Sequence, residues 1–454
     1  MDLDLFALSE SIAARKISPV ELVRQTLDKI KQDNATYNAF ITICEEEAMA
    51  AARQAEEEIS KGHVKGPLHG IPVAVKDVIF TKGIRTTMGS KVYENHVPET
   101  DAAVVEKLKD AGAVIIGKAN THEFAYGPTG DRSLIGPCRN PHNTGKMTGG
   151  SSSGSAAALA AGLVSAAIGT DTGGSIRIPA SACGIVGMKP TWGLVSTYGV
   201  HNTAYTLDHV GPMTRTVKDN AILLNAIVGY DPRDQYSIPQ EKEDYTRLIG
   251  SSLSGIRIGL PDFFYQHLDP EVAQAMDQVV EAFRKLGATV KEVRMDHIGQ
   301  IARNQVVTIQ AEAYTVHDPL VHERGAEYDP ELCERVLAGR NVPISDYIRA
   351  QQQRKALIRQ FNKVFDDVDV LLTPTLPILP PDIGQREIVF GGEKLHVRVP
   401  ILRNTAPFNY TGHPALSVPC GFSKDGLPIG FQIAARYGQE ALLYQVGYAY
   451  ENGR

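Results

Sequence analysis

The absences in this sequence narrow it first. Its five cysteines, Cys44, Cys138, Cys183, Cys333 and Cys420, are odd in number and form no CxxC pair. Neither a disulfide framework nor a structural zinc site is expected, and a reducing compartment fits. No apolar run approaches the roughly 18 residues of a membrane helix. The nearest, AAALAAGLVSAAIG, is weakly hydrophobic and broken by glycine. The N-terminus, MDLDLFALSESIAARK, opens acidic and lacks a basic segment followed by an apolar block, so it does not read as a signal peptide. There is no dense basic block, and the net charge is −6, which gives nucleic acid no electrostatic advantage. The expectation is a soluble, cytoplasmic protein with no nucleic-acid and no membrane partner.

What is present is a globular composition, 43% hydrophobic over 454 residues. That length suits two or three domains or one large α/β enzyme. Helices are expected over 3–16, from the capping box Ser18-Pro19-Val20-Glu21 onward, and over 45–60, 101–111, 153–162, 216–229, 270–286 and 438–452. Strands are expected at 39–43, 71–80, 113–117, 257–261, 288–293, 369–375, 415–421 and 427–435. Residues 300–365 are helix-rich and charged. Residues 376–410 carry many Pro and Gly and read as a long functional or insertion loop. The alternation of strands and helices indicates one α/β domain over 1–454, with a catalytic core region at 60–230 and a more variable, helix-rich excursion at 230–365.

The chemistry concentrates in Gly145–Thr191, where TGGSSSGS, AAALAAG and GTDTGGS follow one another. A linker does not fit, because small-residue helix and strand segments interleave it. A phosphate loop does not fit, because Met147 stands where Ser or Thr is needed. GSSSG satisfies the G-x-S-x-G elbow at Ser152, but no hydrophobic strand precedes it. GTDTGGS fits better. Its glycines let successive amides converge on one point, an oxyanion nest beside a nucleophile, Ser175. Lys76, ending an apolar strand, is the candidate base, since burial lowers an amine's pKa toward neutrality; the alternative is a strand-end lysine facing water. Ser151 is the natural hydroxyl relay between them.

The run GGSSSGSAAALAAGLVSAAIGTDTGGSIRIPASACGIVGMKPTWG resembles the signature of the amidase signature family. GPLHGIPVAVKDVI, GPCRNPHNTGKMTGG, LDHVGPMTRTV and NYTGHPALSVPCGF resemble further family blocks, so the similarity covers nearly the whole chain. Lys76, Ser151 and Ser175 keep the family's spacing. The resemblance implies an α/β fold, a central mixed sheet covered by helices on both faces, and no cofactor or metal. It implies an acyl-enzyme on Ser175, with Ser151 as relay beside a cis peptide and Lys76 as base. The amides of Thr172, Gly173, Gly174 and Ser175 would bind the oxyanion, and the carbonyl of Ala125 would meet substrate. Asp171, Arg177 and Ser153 would support the loops.

Within the family, a stand-alone amidase is expected rather than the glutaminase subunit of a tRNA-dependent amidotransferase. Ile178 stands where that subunit has glutamine, HEFAYGPTG replaces its DEFAMGSSTE, the chain diverges after PMTRT, and it ends at Arg454 without an extension. The expected partner is a small-molecule amide, carbamate or urea-like substrate, with a homodimer left open. Tyr126, Thr129, His201, Tyr205 and Tyr314 are the candidate pocket residues.

Overall fold

The structure is a computed structural model that describes residues 4–240 and 243–453. Asp4 caps the first helix, Leu5–Ala13, by accepting from the Ala7 amide at 2.8 Å. That helix is shorter than the expected 3–16, and residue 3 lies outside the described residues. The next helix, Pro19–Tyr37, is capped by the Ser18 hydroxyl, which accepts from the Glu21 amide at 3.1 Å. The other half of the expected capping box does not form. The Glu21 carboxylate instead accepts from Arg24 (2.9 Å) and Gln25 (2.7 Å), its neighbours on the helix surface.

Eleven strands build one sheet. In chain order they are β1 (Phe40–Ile43), β2 (Pro72–Lys76), β3 (Val114–Ala119), β4 (Ala166–Thr170), β5 (Val186–Lys189), β6 (Val210–Thr214), β7 (Arg257–Pro261), β8 (Thr289–Val293), β9 (Val370–Pro374), β10 (Ala415–Phe422) and β11 (Pro428–Ala434). Across the sheet they run β1-β3-β2-β4-β6-β5-β10-β11-β9-β7-β8. β2 is parallel to β3 and β4, and β7 is parallel to β8 and β9. The other neighbours are antiparallel, so the sheet is mixed as expected.

Alternation along β2 sorts its side chains. Val73 and Val75 join one core cluster with helices Val217–Ile227, Pro270–Lys285 and Glu440–Gly453. Ala74 joins a second cluster with helices Pro19–Tyr37, Glu45–Ser60 and Ser153–Ala160. Helices thus cover both faces. The strand expected over 71–80 stops at Lys76, where the Ile79 amide turns back onto the Lys76 carbonyl at 3.0 Å. β5 and β6 read VGMK and VGPMT, sequences too poor in β-branched residues to announce strands. The expected loop at 376–410 is more ordered than its composition suggests. It forms a ribbon, Glu387–Phe390 against Glu393–His396, and two short helices, Arg398–Arg403 and Ala406–Thr411.

Candidate active site

Parallel neighbours β2 and β4 end side by side, with Val75 opposite Ile168. This sets Lys76 against Thr170. Lys76 is completely buried. Its Nζ lies 2.7 Å from Ser151 Oγ and 2.7 Å from Thr170 Oγ1, with the Thr170 carbonyl at 3.5 Å. Burial draws the amine down to about 7, against the pull of Asp171 and Asp208. A lysine so placed is partly neutral near physiological pH and can exchange a proton with the serine it touches. The solvent-facing alternative for Lys76 does not hold.

Ser151 sits at the mouth of helix Ser153–Ala160, after a cis Gly150–Ser151 peptide bond. The Ser151 carbonyl accepts from the His122 amide at 3.1 Å, and the Gly150 amide donates to Pro128 at 2.7 Å. Residues 122–130 therefore lie against the serine turn. Ser152, the elbow candidate, has its hydroxyl committed to Thr170, donating to the carbonyl at 3.1 Å and accepting from the amide at 3.2 Å.

Ser175 follows β4 in the turn before helix Arg177–Cys183. It is 6% exposed, whereas Lys76 and Ser151 are at 0%, so it is the most accessible of the three. Its carbonyl accepts from the Ser152 amide at 3.2 Å, which locks the two turns together. Asp171 shapes the loop by accepting from the amides of Gly174 (2.7 Å) and Ile176 (3.1 Å). The Gly174 amide is thereby spent on Asp171 and is not free for an oxyanion. Among the described residues, the amides of Thr172, Gly173 and Ser175 are bonded to no protein acceptor. Gly174 serves the conformation instead. Its φ is +134°, and a Cβ there would lie 2.2 Å from Thr405 Oγ1.

Asp171 is itself held by Arg177, which donates to it through Nε and Nη2 at 3.0 Å each. Both side chains are fully buried. Burial alone would raise the Asp171 carboxyl, but Arg177 and Asn409 keep it below its ordinary value. Arg177 also donates to Gln432 (3.0 Å) and Asn409 (2.9 Å), and Thr405 donates to the Gly173 carbonyl at 2.7 Å. Thr170, Thr405, Asn409 and Gln432 escaped the sequence reading. Thr170 was findable, since a buried amine needs more than one oxygen and this threonine lies in the same GTDTGGS motif.

Ala125 and Phe124 both have positive φ, 55° and 50°, a strained pair beside the serine turn. Tyr126 is buried there with Arg335 over its ring, and the Thr129 hydroxyl donates to Asp131 at 2.7 Å. His201 instead packs among Phe124, Tyr93 and His317, where burial draws its imidazole down to about 4. Tyr205 and Tyr314 lie farther out, on the wall of a 470 Å³ groove with Tyr236 and Tyr347. The structure thus groups Lys76, Ser151, Thr172, Gly173 and Ser175, brings Ala125, Tyr126 and Thr129 alongside, and leaves Tyr205 outside. Among the described residues no group of three or more His, Cys, Asp or Glu side chains is arranged to hold a metal ion, and no helix is long and apolar enough to cross a membrane.

Comparison with known proteins places this geometry. Residues 21–444 match the sequence profile of the family described as Amidase. The chain is 40% identical to the A subunit of glutamyl-tRNA(Gln) amidotransferase of Geobacter sp. (strain M21), over 99% of this chain and 97% of that protein. The crystal structure of the A subunit of glutamyl-tRNA(Gln) amidotransferase from Thermotoga maritima superposes with a TM-score of 0.83 at 35% identity, covering 99% of this chain and 96% of the other. A protein solved in an unexpected vestigial complex, bearing on the evolutionary origins of an s-triazine catabolic enzyme, gives a TM-score of 0.95 at 32% identity, covering 99% and 98%. These findings correct two expectations. The preference for a stand-alone amidase rested on a few local replacements such as Ile178, and identity spread over the whole chain outweighs them. The expected small-molecule substrate without nucleic acid falls with it, because these relatives are named for a tRNA and as one subunit of an enzyme.

Proposed function

We propose a function from one premise: the chain belongs to the Amidase family. It is an amidase that hydrolyses C–N bonds. Its role is that of the glutaminase subunit of a tRNA-dependent amidotransferase, releasing ammonia from glutamine for transfer to a tRNA-linked acid. The single observation carrying the chemistry is the contact of buried Lys76 with Ser151 at 2.7 Å. The observation carrying the subunit role is the 40% identity over 97% of a protein of that name.

In this reading neutral Lys76 takes the Ser151 proton as Ser151 takes that of Ser175. The Ser175 oxygen attacks the amide carbon, and the resulting oxyanion faces the amides of Thr172, Gly173 and Ser175. The tetrahedral species collapses as Lys76, through Ser151, returns the proton to the leaving nitrogen. Ammonia departs and an ester remains on Ser175. Water, activated by the same relay, hydrolyses the ester. Asp171 and Arg177 hold the loop that presents these amides. The cytoplasm is the compartment where charged tRNA is met, and the five free thiols suit it.

The test is ammonia release from L-glutamine by the purified protein, alone and with any copurifying partner. Wild type should release ammonia, and Ser175→Ala should fall to background while keeping its fold by circular dichroism. Glutaminase activity that survives in Ser175→Ala removes the nucleophile assignment, and absence of glutaminase activity in wild type under both conditions removes the subunit role.

A further inference from the structure

β6 pairs antiparallel with β4, Thr170 opposite Val210. Continued past the strand ends, that register sets Asp171 opposite His209 and Thr172 opposite Asp208. The first pair is bonded both ways, the Asp171 amide to the His209 carbonyl at 2.9 Å and the His209 amide to the Asp171 carbonyl at 3.1 Å. The second pair is bonded through side chains, the Thr172 hydroxyl donating to Asp208 Oδ1 at 2.6 Å. The sheet itself thus holds Asp208 against the oxyanion loop.

The same carboxylate organises the turn before it. Its Oδ2 accepts from the Thr203 amide at 2.9 Å, and both oxygens lie 3.2 Å from the Ala204 amide nitrogen. The Asp208 amide closes the turn on the Ala204 carbonyl at 3.0 Å. From outside, Glu312 accepts from the Thr206 amide (2.9 Å) and hydroxyl (2.7 Å), and Arg354 donates to the Thr206 carbonyl at 2.8 Å. Thr203, placed in this way, donates through its hydroxyl to the Phe124 carbonyl at 3.2 Å, in the peptide that joins Phe124 to Ala125. Asp208 therefore touches one substrate-facing loop directly and reaches the other through Thr203. Every partner it bonds is a hydroxyl or an amide donor, which suits an acceptor-only carboxylate. Among the described residues no cation bonds it, and burial pushes its carboxyl up to about 7.

We propose that Asp208 is a positioning residue that fixes Thr172 of the oxyanion loop and, through Thr203, the segment carrying Ala125, so that both loops face one substrate together. The proposal rests on the reading that Thr172 presents its amide to the oxyanion. The charge of Asp208 also reaches the base. Asp208 and Asp171 both hold up the Lys76 amine against burial, and Glu312 is the acid that acts on Asp208 in turn. Removing the Asp208 charge lets the Lys76 amine fall further, a change that a merely structural turn does not produce.

The experiment follows L-glutamine hydrolysis in Asp208→Asn, Thr172→Val and the double variant. Each single variant should lower kcat by about tenfold or more, with a smaller change in KM. The double variant should lose no more than the worse single one, because both cut the same bond. The acid limb of kcat/KM should move to lower pH in Asp208→Asn and stay in place in Thr172→Val. Losses that multiply in the double variant, or an unmoved limb in Asp208→Asn, overturn the proposal while wild type remains active. Should Asp208→Asn fail to fold, Thr172→Val decides alone, and a wild-type kcat there overturns the proposal. If wild type does not hydrolyse glutamine, the rate of Ser175 labelling by a fluorophosphonate, read by intact mass, takes its place; the Ser175 oxygen bonds phosphorus and fluoride leaves. Labelling that slows in the same pattern supports the proposal, and equal labelling of all four proteins overturns it. Wild type that is neither active nor labelled removes the catalytic reading and the proposal with it.

Discussion

Lys76 and Lys118 show how environment decides what a lysine does. Both are fully buried on parallel neighbouring strands. Lys118 is enclosed by the Ile79 carbonyl and the hydroxyls of Thr81 and Thr86, three acceptors that hold an ammonium in place. Lys76 meets Ser151, a hydroxyl that can give up its proton. With the Lys76 amine near 7, kcat/KM should rise with pH through about 7 as the neutral form appears, and Lys76→Ala should cut kcat by at least about 100-fold. A pH–rate series on both proteins checks this; a flat profile, or an active Lys76→Ala, rejects the base. The sign for stability follows from the same shift. Between about 7 and 10.5 the unfolded chain binds the extra proton, so stability rises with pH across that window, and Lys76→Met should lose that rise in denaturant titrations. Asp171 carries the complementary case. Asp171→Asn leaves the buried Arg177 charge uncompensated and should cost about 3–5 kcal/mol in urea unfolding. A loss below about 1 kcal/mol would mean the pair is not what holds the loop.

At the scale of elements, the turn after β4 does most of the positioning. Gly174→Ala forces a side chain onto Thr405 and a non-glycine residue into φ +134°, which moves the amides of Gly173 and Ser175. An ångström of displacement there should lower kcat by about 100-fold, with KM much less affected, and steady-state kinetics distinguishes this from simple unfolding. The sequence showed that Gly174 mattered but assigned it the wrong task. Flexible glycines suggest converging amides, and only the structure reveals that Asp171 has taken one of them. β2 was legible because valine, alanine and lysine alternate at strand period. The segment 376–410 was not. Its ribbon and short helices are fixed by distant contacts, such as Gly384 to Asp131 at 3.1 Å and Asn404 to Pro374 at 2.9 Å, rather than by local propensity.

At the scale of the molecule, the reactive groups come from the first half of the chain and much of their support from the second. Lys76, Ser151 and Ser175 stand on the β2–β4 edge of the site, while Thr405, Asn409 and Gln432 reach Gly173 and Arg177, on the loop and helix around Ser175, from more than 200 residues away. The motif therefore exposed the candidate chemistry and the mixed α/β fold, but not the residues that hold them, which no spacing rule connects. It also could not choose between kinds of amidase, because local replacements such as Ile178 carry less weight than identity along the whole length. The most direct test of the account is to quench the wild-type enzyme with acid during L-glutamine turnover and map the acyl adduct by peptide mass. A glutamyl ester is expected on the peptide bearing Ser175, at that residue. An ester at Ser152, or turnover with no ester at all, would contradict it.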